Sequence, residues 1–240
     1  MKFALASKEF IDNDIKSNLR VILSSMKEAS KLKCDFILLG ESFLQGIECL
    51  NWKYKHDEKI GIEYAKSKVI QTITIASKKL NIGIMFGYIE KCNKILYSSY
   101  LMINNNGKVI GNYRRISVGW KSRWKINYKT LQYYQEGDVV PEFKIGKMKF
   151  RVALCGDLFD YPAKFKRSNL LLWPLYTDNY IESKKGMPQY KYLAKTHAKN
   201  VLIINSVNKA DKSNGGAYYM KNGRIVAKVL GDKLLIVDLK

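Results

Sequence analysis

Three residues of contrasting chemistry each stand just after a short apolar run: Glu41 after residues 36–39, Arg115 after residues 109–113 and Cys155 after residues 150–154. In α/β sheets ligands bind at the carboxyl ends of strands, where loops shape a crevice. Taken singly, each residue has an ordinary explanation. Glu41 can cap a turn, Arg115 can pair with a surface acid, and a lone thiol is more often a small buried hydrophobe than a catalyst. A carboxylate, a cation and a thiol at three strand ends are harder to explain that way. Together they suit acyl transfer: a thiol attacks as its thiolate, so it needs a base and a nearby positive charge. Gly156 would let a backbone N–H approach the resulting oxyanion.

The elements that must position these residues are legible as alternating patterns. Residues 3–6 form a short apolar start. Asp12, Asn13 and Asp14 offer caps for a helix in which Ile15, Leu19, Ile22, Leu23, Met26 and Ala29 recur at helical spacing. The run 34–39 is expected to be a buried parallel strand ending at Gly40-Glu41. A helix over about 60–80 and a strand at 82–88 repeat the unit. Residues 96–103 and 108–113, joined by N-N-N-G, predict a hairpin. Residues 119–140 have no clean period and predict a long ordered loop, a common place for function. Strands at 150–154, 169–173 and 201–207, a helix near 190–199, a glycine turn at Gly215-Gly216 and a closing hairpin over 217–239 complete the chain. Without linker, repeat or low-complexity block, residues 1–240 predict one α/β domain.

Composition narrows the function classes. At 240 residues and 47% apolar content the chain can bury a substantial core. It lacks an apolar run long enough to span a membrane and opens on no long apolar signal segment, so a soluble cytoplasmic protein is expected. Cys34, Cys49, Cys92 and Cys155 are widely spaced, with only His56 and His197 to complement them, which suggests neither a zinc site nor a disulfide framework. The net charge is +21, and seven of the 42 basic residues are arginine, leaving 35 lysines. They are scattered, with no run of five or more, which favours a solvated lysine-rich surface over a dedicated nucleic-acid site.

The trio and its surroundings resemble the carbon-nitrogen hydrolase (nitrilase-like) superfamily. The matching segments are the opening strand and D-N-D-I-K-S-N-L, L-L-G-E-S-F-L-Q-G around Glu41, I-N-N-N-G-K-V-I-G-N-Y-R-R, A-L-C-G-D around Cys155, L-L-L-W-P at 170–174, A-K-N-V-L-I-I-N-S at 198–206 and the final glycine-bearing hairpin. The resemblance implies a four-layer α-β-β-α sandwich, a Glu-Lys-Cys triad without metal or organic cofactor, and a homodimer or higher homo-oligomer. Glu41 then matches the catalytic base and Cys155 the nucleophile, with Gly156, Tyr113 and Trp173 expected around the oxyanion and substrate. Asp157, two residues after the cysteine, resembles the amidase branch more than true nitrilases.

Two departures stand out. Where the family has Tyr-Arg-Lys, this chain has Tyr113-Arg114-Arg115, and arginine is larger, planar and does not give up its proton at neutral pH. Lys121, six residues on, is a second candidate for the cation. The accessory glutamate of many members has no clear counterpart, since Glu136 stands late in the loop. The expected function is a cysteine hydrolase of a small amide through a thioester acyl-enzyme. The alternative is a catalytically impaired binding or scaffold protein of the same fold. Many lysines, and tyrosines at 128, 133, 134, 176, 180, 190 and 192, are candidates to line a pocket for an anionic amide.

Overall fold

The protein is described here by a computed structural model covering residues 1–122 and 125–239. Strand β1 (Lys2–Ser7) leads into helix α1 (Ile15–Lys31). The Asp14 carboxylate caps that helix, accepting from Ser17 N at 2.9 Å. Strand β2 (Phe36–Leu38) follows and runs out into the turn that carries Glu41. Of the helix expected over about 60–80 only the later part forms: a separate short helix α2 (Tyr54–Ile60) ends at the expected start, and α3 (Lys68–Leu80) follows after a non-helical break. The second starts where Ser67 accepts from Ile70 N, so a cap inside the apolar pattern decides the boundary.

Strands β3 (Gly83–Cys92), β4 (Ile95–Ile103) and β5 (Val109–Arg114) form an antiparallel meander. The second half holds β6 (Phe143–Ile145), β7 (Met148–Val152), the single-turn helix α4 (Asp157–Asp160), β8 (Ser168–Leu175), α5 (Gly186–His197), β9 (Ala198–Asn208), β10 (Ser213–Lys221), β11 (Arg224–Val229) and β12 (Lys233–Asp238). One six-stranded sheet has the order β12-β1-β2-β3-β4-β5 and the other β11-β10-β9-β8-β7-β6. The strands that deliver Glu41 and Cys155 lie in parallel stretches, β1-β2-β3 and β7-β8-β9.

Alternation along the strands makes three cores. Ala4, Ala6, Ile37, Leu39, Ile84 and Phe86 pack outward against Ile22 and Met26 of α1 and Ile70 and Ile73 of α3. Phe3, Leu5, Phe36, Leu38, Tyr100 and Met102 face Phe150, Val152, Leu154, Leu172, Leu202 and Ile204 across the sandwich. On the far face Leu171, Trp173, Val201 and Ile203 pack against Leu193 and Ala194 of α5. The layers are therefore α-β-β-α, as expected.

The end of the chain departs from the expected hairpin. β10 and β11 do pair, but β12 leaves that sheet and runs antiparallel to β1 in the other, from Lys2↔Asp238 to Ser7↔Lys233. Gly215 and Gly216 are not a turn. They lie inside β10, where a Cβ on Gly215 would stand 2.6 Å from Ser7 Oγ and from Val207 Cγ2. No helix among the described residues is long and apolar enough to cross a membrane.

Candidate active site

The ends of β2, β5 and β7 meet at one cavity of about 260 Å³, lined by Glu41, Arg115 and Cys155 together. Glu41 reaches it because the turn after β2 folds over β3 at Gly87. A Cβ there would lie 2.3 Å from Ser42 N and 2.7 Å from Glu41 Cα, so only glycine admits this approach. Arg115 is fixed through its backbone: its N–H donates to Ser98 O at 2.8 Å and its carbonyl accepts from Gly137 N at 2.8 Å.

Arg115 Nη1 donates to Glu41 Oε1 at 2.7 Å, and its Nε donates to Ser117 Oγ at 2.7 Å. Ser98 Oγ adds a longer bond to the same Glu41 oxygen at 3.3 Å. Both members of the pair are buried, so each requires the other. Burial disfavours the charged guanidinium, but Glu41 and its other anionic neighbours outweigh this and hold its pKa above the ordinary range.

Cys155 stands where β7 ends, with its N–H donating to Pro174 O at 3.0 Å and its carbonyl accepting from Trp173 Nε1 at 2.9 Å. Its φ is +45°, in the left-handed region that costs a β-carbon about 1–2 kcal/mol. The thiol donates to Tyr176 O at 3.6 Å. Burial pushes it up to about 12, Glu41 adds to the rise and Arg115 opposes it. It therefore rests neutral at pH 7, and attack requires a base to take its proton.

Asp157 holds the two halves of this arrangement together. One carboxylate oxygen accepts from Ile116 N at 3.0 Å and Ser117 N at 2.8 Å, the other from Tyr113 Oη at 2.7 Å and Leu154 N at 2.9 Å. It thus ties the residues after β5 to those before Cys155. Burial raises its pKa and these bonds oppose the rise. Gly156 lies between, and a Cβ on it would come within 2.9 Å of Arg115 Nη2. Its N–H has no hydrogen bond among the described residues.

The remaining expectations divide. Lys121 lines the same cavity, but its Nζ is held by Glu136 Oε1 at 2.6 Å and donates to Tyr134 O at 3.2 Å; Arg115 is the cation on Glu41. Glu136, expected to stand too late in the loop, also accepts from Trp120 Nε1 at 3.1 Å and so anchors the cavity wall. Tyr113, Trp173 and Gly156 are not among the residues that line this cavity. Tyr113 shares Arg115's face of β5 one pleat deeper, reaching Asp157, while Trp173 points to the outer face of its sheet against Phe159 and Tyr190. Of the seven tyrosines named as candidates, Tyr176 alone lines the cavity among the described residues.

Residues missed in the sequence are the supports. Ser98 owes its place to strand register, and Ser117 to its spacing from Arg115. The loop 119–140, apart from Arg123 and Trp124, which lie outside the described residues, forms one wall and the segment after Glu41 the other. Tyr134 Oη donates to the buried Asp57 at 2.8 Å, Tyr54 stacks on Tyr133 at 4.0 Å, and Trp52 packs near Trp120.

The sequence profile described as carbon-nitrogen hydrolase matches residues 5–163. The chain belongs to that family. Among curated relatives of this carbon-nitrogen hydrolase, a probable nitrilase of Schizosaccharomyces pombe is 27% identical over 149 residues, covering 60% of this chain and 50% of the relative. The chain thus spans half the length of that relative. A citrullinase of Francisella tularensis is 26% identical over 211 residues, covering 84% of this chain and 68% of its own. The fold matches an amidase from Nesterenkonia sp. AN1, with a TM-score of 0.77 at 14% identity over 100% of this chain and 93% of that one. It also matches a carbon-nitrogen hydrolase from Helicobacter pylori, with a TM-score of 0.78 at 15% identity, covering 98% and 87%.

Proposed function

We propose that residues 1–240 act as one cysteine-dependent hydrolase of a small amide. The observation that carries this is the convergence of Cys155 and the Glu41–Arg115 pair on a single small cavity, with the unbonded Gly156 N–H next to Cys155 in the chain. Glu41 takes the Cys155 proton as Sγ attacks the carbonyl carbon, and the charge on oxygen is met by Arg115 and Gly156 N–H. The C–N bond then breaks, Glu41 returns the proton to the leaving ammonia or amine, and a thioester remains. Water, deprotonated by Glu41, hydrolyses the thioester and frees the thiol. No step in this scheme requires a metal or organic cofactor.

The similarity to an amidase and a citrullinase supports a C–N bond as the target, and a mutant of the Nesterenkonia amidase shows the Michael addition of acrylamide at its active site cysteine. Cytoplasmic residence and a homo-oligomer accompany the proposal. A second reading, a scaffold that has lost catalysis, is favoured by Arg115 in place of the family's lysine. Incubation with small amides decides between them: ammonia release abolished by Cys155→Ala supports the hydrolase. No ammonia release and no acyl adduct on Cys155 by intact mass would support the scaffold.

A further inference from the structure

The charges that line the cavity pair off incompletely. Arg115 neutralises Glu41 at 2.7 Å, and Glu136 neutralises Lys121 at 2.6 Å. Two more charges line the same cavity: Glu48, on the wall that follows β2, and Lys125, on the wall that follows β5. Both are exposed, and among the described residues neither has an ion-pair partner within 4.0 Å, the other included. Their backbones are nonetheless fixed. Glu48 N donates to Asp12 Oδ1 at 2.8 Å and Glu48 O accepts from Asn13 Nδ2 at 3.3 Å, while Lys125 N donates to Ser122 O at 2.9 Å.

Among the described residues the cavity therefore has one unmatched negative and one unmatched positive pole in its exposed part, and a buried end at Glu41 and Arg115. Ile47, Leu50, Trp52 and Ile89 supply apolar wall to the same cavity. A ligand that satisfies all of this has an ammonium and a carboxylate at one end, a short hydrocarbon stem, and an amide at the other. We propose that the substrate is the side-chain amide of an α-amino acid, with Glu48 receiving its ammonium and Lys125 its carboxylate. This rests on the amide-hydrolase reading above and narrows it to one class. A neutral aliphatic amide leaves both poles unmatched, a monoanion or monocation leaves one, and an α-carboxamide has no free carboxylate to offer. The volume of about 260 Å³, at the small end of ligand cavities, suits such a compact molecule. Turnover forms the Sγ–C bond, expels ammonia, and with one water yields the corresponding dicarboxylic amino acid.

Matched amides separate the charges. Glutamine carries both, 4-carbamoylbutanoate only the carboxylate, 4-aminobutanamide only the ammonium, and butanamide neither; asparagine heads a parallel set one carbon shorter. The expected kcat/KM for the better zwitterion exceeds that of its uncharged counterpart by about 100-fold or more. Glu48→Gln is expected to shrink the ratio between ammonium-bearing and ammonium-free amides about tenfold, and Lys125→Met the ratio between carboxylate-bearing and carboxylate-free ones by a similar factor. Uncharged amides turned over as well as zwitterions, or ratios unmoved by both variants, would overturn the assignment. Calorimetric binding to Cys155→Ala separates this proposal from the hydrolase reading. Zwitterion binding weakened by Glu48→Gln and by Lys125→Met, without turnover by the wild type, supports the recognition site and removes the hydrolase. Equal binding of zwitterion and uncharged amide removes the recognition site whether or not the wild type hydrolyses anything.

Discussion

Arg115 Nη1 and Glu41 Oε1 stand 2.7 Å apart, with side chains 5% and 2% exposed, so the cation and the carboxylate of the site form a buried pair. Arg115→Met leaves Glu41 as an unpaired buried charge. It is expected to cost about 3–5 kcal/mol and to abolish ammonia release. Arg115→Lys keeps the charge but loses the Nε bond to Ser117. It is expected to cost about 1–3 kcal/mol and to retain measurable turnover. Urea unfolding and an ammonia assay on both variants check the order.

Cys155 adopts φ +45°, and replacing it separates its chemistry from its conformation. Cys155→Ala and Cys155→Gly should both lose hydrolysis. The glycine variant should nevertheless be more stable than the alanine variant, by about 1 kcal/mol, because it alone occupies the left-handed region without penalty. Thermal unfolding of the two proteins side by side tests this; equal or reversed stability would refute it.

The thiol is pushed up to about 12, first by burial and then by Glu41. In the unfolded chain it ionises near about 8.5. The unfolded state sheds this proton first, so the thiol's contribution to stability is whole below about pH 8.5 and is lost as pH rises toward about 12. The melting temperature of the wild type relative to Cys155→Ala is expected to hold constant from pH 7 to 8 and to fall above pH 9. A constant difference across the range would contradict it.

Tyr134→Phe removes the Tyr134 donor to Asp57, which is buried in the wall opposite. Asp57 keeps Asn51 N and His56 but loses the bond that joins the two walls of the cavity. The expected loss is about 1–3 kcal/mol. A raised KM with little change in kcat is expected, because the wall shapes binding and does not touch the reacting atoms. Steady-state kinetics with any turned-over amide gives the split.

Much of this site was legible before the fold was known, and the reason is local. Glu41, Arg115 and Cys155 follow apolar runs whose strand character needs no tertiary information, and α1 announces itself through Asp14 and a helical period. What escaped depends on partners distant in sequence. Tyr113 stands two residues before Arg115 and Trp173 three before Tyr176, yet the first reaches Asp157 and the second packs on the outer face of its sheet. Lys121 is in the right cavity, but Glu136 and Tyr134, 13 or more residues on, hold it away from Glu41. β12 matches a hairpin strand by composition, and only its ladder with β1 shows that it belongs to the other sheet.

That crossing has a consequence for how the protein acquires its site. Glu41 and Arg115 belong to the sheet that β12 joins, and Cys155 belongs to the sheet that β12 leaves. Neither sheet alone assembles the trio, and Asp157 can gather its four donors only when both are in place. The trio is thus a reporter of docking. During refolding, recovery of reactivity at Cys155 times the moment the two halves close, later than the recovery of strand content within either half.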